Sequence, residues 1–199
     1  MTPIAVRSAS RDEESAVSAV IALAFATDPM ARWSLRDPHT YLAVMPDLIR
    51  AFGAAAYDSD SAYVSDDFGG AALWLPPGVE PDIETLERLI KTHADPAILS
   101  DVDAIFEGMA RYHPQVPHWY LPLIGADPTR QSRGVGSALM RHALARCDRE
   151  GTAAYLESSN PRNISLYQRH GFEVLGTIQT GSSPVLTPML RPPQPTASS

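Results

Sequence analysis

Apolar and polar positions repeat along this chain with a period that changes from segment to segment, and those changes lay out its elements. "IAVRSA" (Ile4 to Ala9) alternates as an opening strand, and Ser10 and Asp12 can cap a helix after it. Val17, Val20, Ile21 and Ala24 then fall at helical spacing, which predicts an amphipathic helix from about Glu13 to Ala26. "TDPMARWSLRDP" holds two Asp-Pro breaks and reads as a loop. His39 to Ala56 reads as a second helix, interrupted or begun again near Pro46. "SAYVSDD" and "GGAALWLPPG" form a hairpin that turns at Asp66-Asp67-Phe68-Gly69-Gly70, and Pro76-Pro77 stops its second strand.

Pro81 to His113 carries two helical patterns, divided near Ala94-Asp95-Pro96. "HWYLPLIGADP" is an aromatic and aliphatic strand, followed by a Gly-spaced turn and a helix that Gly151 ends. "AAYLESSN" is a further strand, "PRNISLYQRHGF" a short helix closed by Gly171, and "FEVLGTIQT" and "SPVLTPML" the last strands. The order β, α, α, β, β, α, α, β, α, β, α, β, β predicts one α/β (α+β) domain over residues 1–191 with a mixed, partly antiparallel sheet. The Pro/Ser-rich end, residues 192–199, is expected to be a disordered tail.

Charge and composition narrow the function classes. Sixteen Lys and Arg against 23 Asp and Glu give a net charge of −7, which argues against a nucleic-acid binder with its basic face. The single cysteine, Cys147, allows no internal disulfide, and no Cys/His cluster has zinc spacing, so no metal is expected. No leader pattern opens the sequence, and the apolar stretch "AVSAVIALAFA" is too short to span a bilayer. The expectation is a reduced, cytoplasmic protein without a membrane partner.

The candidate chemistry begins at "PTRQSRGVGSALMRHAL" (Pro128 to Leu144). A phosphate-binding P-loop is excluded, because no Lys-Ser/Thr pair follows the glycines. A dinucleotide fingerprint lacks its third glycine: the run is Gly134-Val135-Gly136-Ser137-Ala138-Leu139. There remains Q-x-x-G-x-G at a strand-to-helix turn, Gln131-Ser132-Arg133-Gly134-Val135-Gly136. Glycines let backbone N–H groups converge, the helix start offers its positive end, and Arg130 and Arg133 add charge. Those six residues alone fit a pyrophosphate cradle or a plain tight turn with two exposed arginines.

A second stretch bears on the choice. "LPLIGADPTRQSRGVGSALM" resembles the acetyl-CoA motif of the GNAT acetyltransferase superfamily, and "YLESSNPRNISLYQRHGF" resembles the next motif of that superfamily, N-x-x-x-Y-x-x-x-G-F after a strand. With "VSDDFGGAALWLPPG", these stretches look like the puromycin N-acetyltransferase branch; the likeness is specific over 117–176, looser over 60–80 and weak over the N-terminal helices. The resemblance implies a single GNAT-like domain whose mostly antiparallel sheet, flanked by helices, is splayed at the acetyl-CoA strand. It implies direct transfer of an acetyl group from acetyl-CoA to a primary amine, with no metal; a small-molecule acceptor is expected, and a protein N-terminus or lysine is the alternative. Dimers are common in such families, so a homodimer is a further expectation.

Residue by residue, the resemblance puts the pantetheine-pairing strand at Ile124, Gly125 and Ala126, and the pyrophosphate grip at Gln131 to Ser137. That grip comprises Gln131, Ser132, Arg133, Gly134, Val135, Gly136 and Ser137. Tyr167 falls on the family's general acid, a role suited to a phenol that keeps its proton at neutral pH. Asn163, one turn earlier, touches CoA or water in the family, and a helix-capping role fits it equally. Glu157, ending its strand, is a candidate base or a solvated strand-end charge. Trp33 and Asp28 are candidates for acceptor contact, the latter for a cationic amine. Trp74, Trp119, Tyr63 and Tyr120 either line the pocket or fill the core. His118 and His170 read as packed or surface residues, and Cys147 as a core thiol. The helices of 81–113 and of the N-terminus would shape the acceptor pocket. A rival reading is a non-catalytic acyl-CoA-binding module, which needs the Gly turn but neither Tyr167 nor Glu157.

Overall fold

A computed structural model describes residues 4–194. Seven strands form one sheet: β1 (Val6–Ser8), β2 (Ala62–Ser65), β3 (Gly70–Leu75), β4 (His118–Ala126), β5 (Ala153–Ser158), β6 (Glu173–Val174) and β7 (Thr187–Arg191). Their spatial order is β1-β2-β3-β4-β5-β7-β6. Every neighbouring pair among them is antiparallel except β4 with β5. The expected α/β domain with a mostly antiparallel sheet is the one the chain builds.

Seven α-helices connect and cover the strands: α1 (Glu14–Ala24), α2 (Pro29–Ser34), α3 (Pro38–Gly53), α4 (Ile83–His93), α5 (Leu99–Tyr112), α6 (Val135–Glu150) and α7 (Ile164–Arg169). Helix α2 corrects the loop expected over "TDPMARWSLRDP". The Asp28 carboxylate accepts from the N–H groups of Met30 and Ala31, and Pro29 occupies the first helical position. An Asp-Pro pair is thus a cap with a pre-set first turn, not a break. Helix α3 likewise starts at Asp37-Pro38 and runs unbroken through Pro46. Leu42, four residues before Pro46, lies on the exposed face, where water can satisfy its freed carbonyl. The last expected strands are shorter than foreseen: β6 has two residues, and beyond it Ile178 bridges Leu186 alone. Of the expected tail, 195–199 lie outside the described residues.

The sheet separates two hydrophobic layers. On one face Val17, Ile21, Leu48, Leu73, Leu123 and Tyr155 pack under α1, α3 and α4. On the other, Trp74, Trp119, Leu139, Met140, Leu156 and Met189 pack with α6 and α7. Large side chains of this kind, fully buried, each contribute about 1.5–3 kcal/mol, so both faces are firmly anchored. Trp74, Trp119 and Tyr63 belong to the second layer as core residues. Cys147 is buried there too, where desolvation pushes its thiol up to about 12, so it stays protonated and unreactive.

Candidate active site

The site begins where β4 and β5 part. They pair only at His118–Ala153, Trp119–Ala154 and Tyr120–Tyr155. Beyond Tyr120, β4 stays with β3 while β5 continues with β7 as far as Ser158. The register between β3 and β4 also slips there: Leu73 faces Leu123, yet Leu75 faces Tyr120. One extra β4 residue, in the Leu121-Pro122 pair, is accommodated as a bulge, a usual place for a strand proline. The bulge resets the alternation. Trp119 and Leu121 point into the α6 layer, but so do Ile124 and Ala126, while Tyr120 and Leu123 face the α1 layer.

Into this gap points the start of α6. Asp127 accepts from Thr129 N–H at 2.7 Å and so turns the chain after β4. Ser132 (φ 60°) and Gly134 (φ 88°) both adopt the left-handed conformation that glycine takes without strain. Gly134 is the N-cap and brings no capping side chain, so the first-turn N–H groups of α6 keep their dipole unblocked. Gln131, Ser132, Gly134, Val135, Gly136 and Ser137 all line one cavity of about 730 Å³. Ile124, Gly125 and Ala126 line it from the free edge of β4. Gly125 has a separate reason to be glycine: a Cβ there would lie 2.6 Å from Ala24 Cβ on α1.

Helix α7 forms the next wall. Asn160, not Asn163, uses its side chain to cap the chain's turn, accepting from Arg162 N–H at 3.1 Å. Asn163 precedes α7 without a side-chain capping bond and faces the cavity. Tyr167, on α7, lines the same cavity and packs against Phe172 with ring centroids 6.1 Å apart. Burial, with the charge of Asp28 added, holds its phenol well above the ordinary value, so it keeps its proton throughout the working pH range.

Glu157 enters from the opposite face of the sheet. It shares the Tyr155 side of β5 by the two-residue strand period. The Tyr120 hydroxyl donates to Glu157 Oε2 at 2.8 Å. Glu157 Oε1 is buried without a partner, and so is the Tyr155 hydroxyl, which lies near enough to favour the charged carboxylate but outside hydrogen-bond geometry. Desolvation dominates, raising the carboxyl to about 7 against the pull of its tyrosine neighbours. A carboxylate that is half ionised near neutrality, with one oxygen lacking a hydrogen-bond partner, is suited to exchange a proton.

Known proteins share this fold. Residues 72–172 match the model of the acetyltransferase (GNAT) family, about half of the chain. The chain belongs to the GNAT family. An uncharacterized N-acetyltransferase of Schizosaccharomyces pombe is 37% identical over 124 residues, 53% of this chain and 48% of that one. The chain thus spans about half the length of this curated relative. Among solved structures, a Corynebacterium glutamicum protein described as histone acetyltransferase HPA2 and related acetyltransferase is 26% identical, with a TM-score of 0.70, over 99% of this chain and 100% of that one. A Drosophila melanogaster polyamine N-acetyltransferase (14% identical, TM-score 0.60, covering 95% and 99%) shares the fold. So does arylalkylamine N-acetyltransferase 2 of Aedes aegypti (12%, TM-score 0.65, 96% and 99%).

Within this GNAT domain, the sequence-derived candidates do not all reach the cavity. Arg133 is exposed and is not among the lining residues, and Arg130, which is, pairs with Asp67 at 2.9 Å. Asp28 lines the cavity, and both of its oxygens already accept hydrogen bonds from the protein. Its Oδ1 caps α2, and its Oδ2 accepts from Ser159 Oγ at 2.7 Å. Trp33 sits on α2 rather than in a polar loop; it is buried, lines the cavity, and donates its indole N–H to Ser182 Oγ at 3.1 Å. His118 is bonded to Val116 O and His113, and His170 to Ser137 Oγ; neither lines the cavity.

Sequence reasoning named Tyr120 only as a possible pocket aromatic and missed its bond to Glu157. It also missed Arg162 and Arg169, which line the α7 end, and Ser159, which holds Asp28. The signal for Tyr120 was available in part, since "HWYL" and "AAYLE" alternate in step; the bond itself depends on the parallel register.

Proposed function

We infer that this GNAT domain is an N-acetyltransferase that moves the acetyl group of acetyl-CoA to the primary amine of a small molecule. The observation that carries the reading is one cavity bordered by three things: an uncapped α6 N-terminus, a protonated Tyr167, and a Glu157 poised near neutrality. The residues present fit the co-substrate. Gly134 leaves N–H groups for a pyrophosphate, the unpaired β4 edge leaves backbone groups for an extended amide arm, and Asn163 has no capping bond to hold it back. The resemblance of the sequence over 117–176 to the puromycin branch supports a small-molecule acceptor.

Acetyl-CoA supplies the acetyl group as an activated thioester. Glu157, through Oε1, accepts a proton from the amine as its nitrogen bonds to the acetyl carbon. Backbone N–H groups at Ile124 to Ala126 steady the carbonyl oxygen. Tyr167 donates a proton to the departing sulfur as the carbon–sulfur bond breaks, and is reprotonated from solvent. The rival, a binding module without chemistry, has no use for Glu157 and Tyr167 on opposite sides of one gap.

Thermal melting with and without acetyl-CoA tests the reading. At about 100 times the dissociation constant, binding adds ~2.7 kcal/mol. For a domain of this size that is a rise of roughly 5–11 °C. No rise at millimolar acetyl-CoA removes the cradle and every role built on it. A rise followed by CoA release in a screen of amines establishes the enzyme.

A further inference from the structure

Resting on the N-acetyltransferase reading, we propose that the acceptor is a primary monoamine on an apolar body, an arylalkyl or branched alkyl amine. Its nitrogen sits at Glu157 and its body lies between α2 and α5.

The carboxylates of the cavity decide how many positive charges it can receive. Among the lining residues only Asp28 and Glu157 are acidic. Both oxygens of Asp28 are occupied by protein donors, as is Glu157 Oε2. Glu157 Oε1, buried, is the one carboxylate atom of the cavity without a hydrogen-bond partner, and so the one whose pairing an amine would complete. A diamine or polyamine would have only Asp28 as counter-charge for its second cation, a carboxylate whose oxygens already accept three hydrogen bonds from the protein.

The wall beyond Glu157 shows what that second charge would meet. Met30 and Trp33 of α2, Ile105, Phe106 and Met109 of α5, and Leu186 before β7 line it. They belong to two small apolar clusters, one around Trp33 and Val102, the other around Ile105 and Leu186, with Met30 packed against both. The indole N–H of Trp33 already has Ser182 as its acceptor. The cavity's cationic side chains, Arg130, Arg162 and Arg169, come from the α6 turn and α7, away from this wall, so an acceptor carboxylate finds no partner there either. Methionine and aromatic side chains suit apolar bodies of varied shape, whereas an unpaired ammonium against them is strongly disfavoured.

Thiol release should be followed at fixed acetyl-CoA with phenethylamine and isoamylamine against putrescine, agmatine and glycine. The expected result is a kcat/KM for the apolar monoamines at least about tenfold above the others. Met109→Glu, which adds a carboxylate to the wall, should narrow that ratio by raising putrescine turnover. Melting in saturating CoA gives a readout independent of turnover: phenethylamine raises the transition and putrescine does not. Equal or better turnover of putrescine or agmatine overturns the proposal. So does a protein that binds acetyl-CoA but neither acetylates nor binds phenethylamine, an outcome that leaves the acetyl-CoA reading standing. Failure to bind acetyl-CoA removes both.

Discussion

Tyr120 and Glu157 lie on strands that have begun to separate, and the hydrogen bond from the Tyr120 hydroxyl to Glu157 Oε2, at 2.8 Å, spans the opening. Tyr120 is the last β4 residue paired with β5, and Glu157 stands two residues past its partner Tyr155. The bond holds the carboxylate still while leaving Oε1 without a hydrogen-bond partner.

Tyr120→Phe removes a donor that favours the ionised carboxylate. A hydrogen bond to a charged group is worth ~1.5–3 kcal/mol. The acid limb of kcat/KM should accordingly move up by about one pH unit or more, with the alkaline side little changed. A pH–rate profile of the two proteins measures this; superimposable profiles would remove Tyr120 from its positioning role.

Glu157 itself sets a pH dependence in both activity and stability. Activity should rise through about pH 7 as the carboxyl ionises, and Glu157→Gln should abolish that limb. At pH 7.5 the variant should lose about a hundredfold in kcat/KM or more. The folded pKa is raised from the ordinary 4.5 to about 7, so the folded chain retains a proton that the unfolded chain releases between those values. Stability is therefore lost as pH rises across that window, by roughly 2–4 kcal/mol, and stays lower above it. Denaturant melts at pH 5 and 8 should show this loss in the wild type and not in Glu157→Gln.

Tyr167→Phe separates chemistry from binding. The ring still packs on Phe172, so the fold and the melting shift with acetyl-CoA should persist. Turnover should fall about a hundredfold or more. Unchanged turnover would place proton donation elsewhere, and water at the gap would be the next candidate.

Asp28 and Glu157 line one cavity but should respond differently to loss of charge. Asp28→Asn keeps an oxygen for the α2 N–H groups and an amide for Ser159, so activity and melting should stay near wild type. Asp28→Ala loses the cap at ~1–2 kcal/mol, a fall of roughly 2–8 °C. If Asp28→Asn instead abolishes amine turnover while melting normally, the Asp28 charge is part of the acceptor site.

The turn that opens α6 was legible in the sequence because it is local. Asp127 to Ser137 forms a turn from consecutive residues, and Gly134 and Gly151 mark both ends of α6. That Asn163 and Tyr167 share one side of the α7 segment was likewise legible from one short run, and both line the cavity. The features that escaped depend on distant parts of the chain. Asp28-Pro29 looked like a break because a cap and a breaker use the same letters, and only the N–H groups ahead distinguish them. Arg133 carries the right charge but faces solvent. The bulge at Leu121-Pro122, which turns Tyr120 and Leu123 to one side and Ile124 to the other, is visible only in the register with β3.

The parting of β4 and β5 has a consequence for how the protein can change. The α6 turn and the α2–α5 wall come from different segments of the chain and line one cavity where β4 and β5 part. On the proposed acetyltransferase reading, changes in the helices of that wall would give the chain a different client while leaving the α6 turn as it is. A graft of α4 and α5 from another chain of this fold onto this sheet is thus a practical route to new selectivity, provided Ala24 stays small against Gly125.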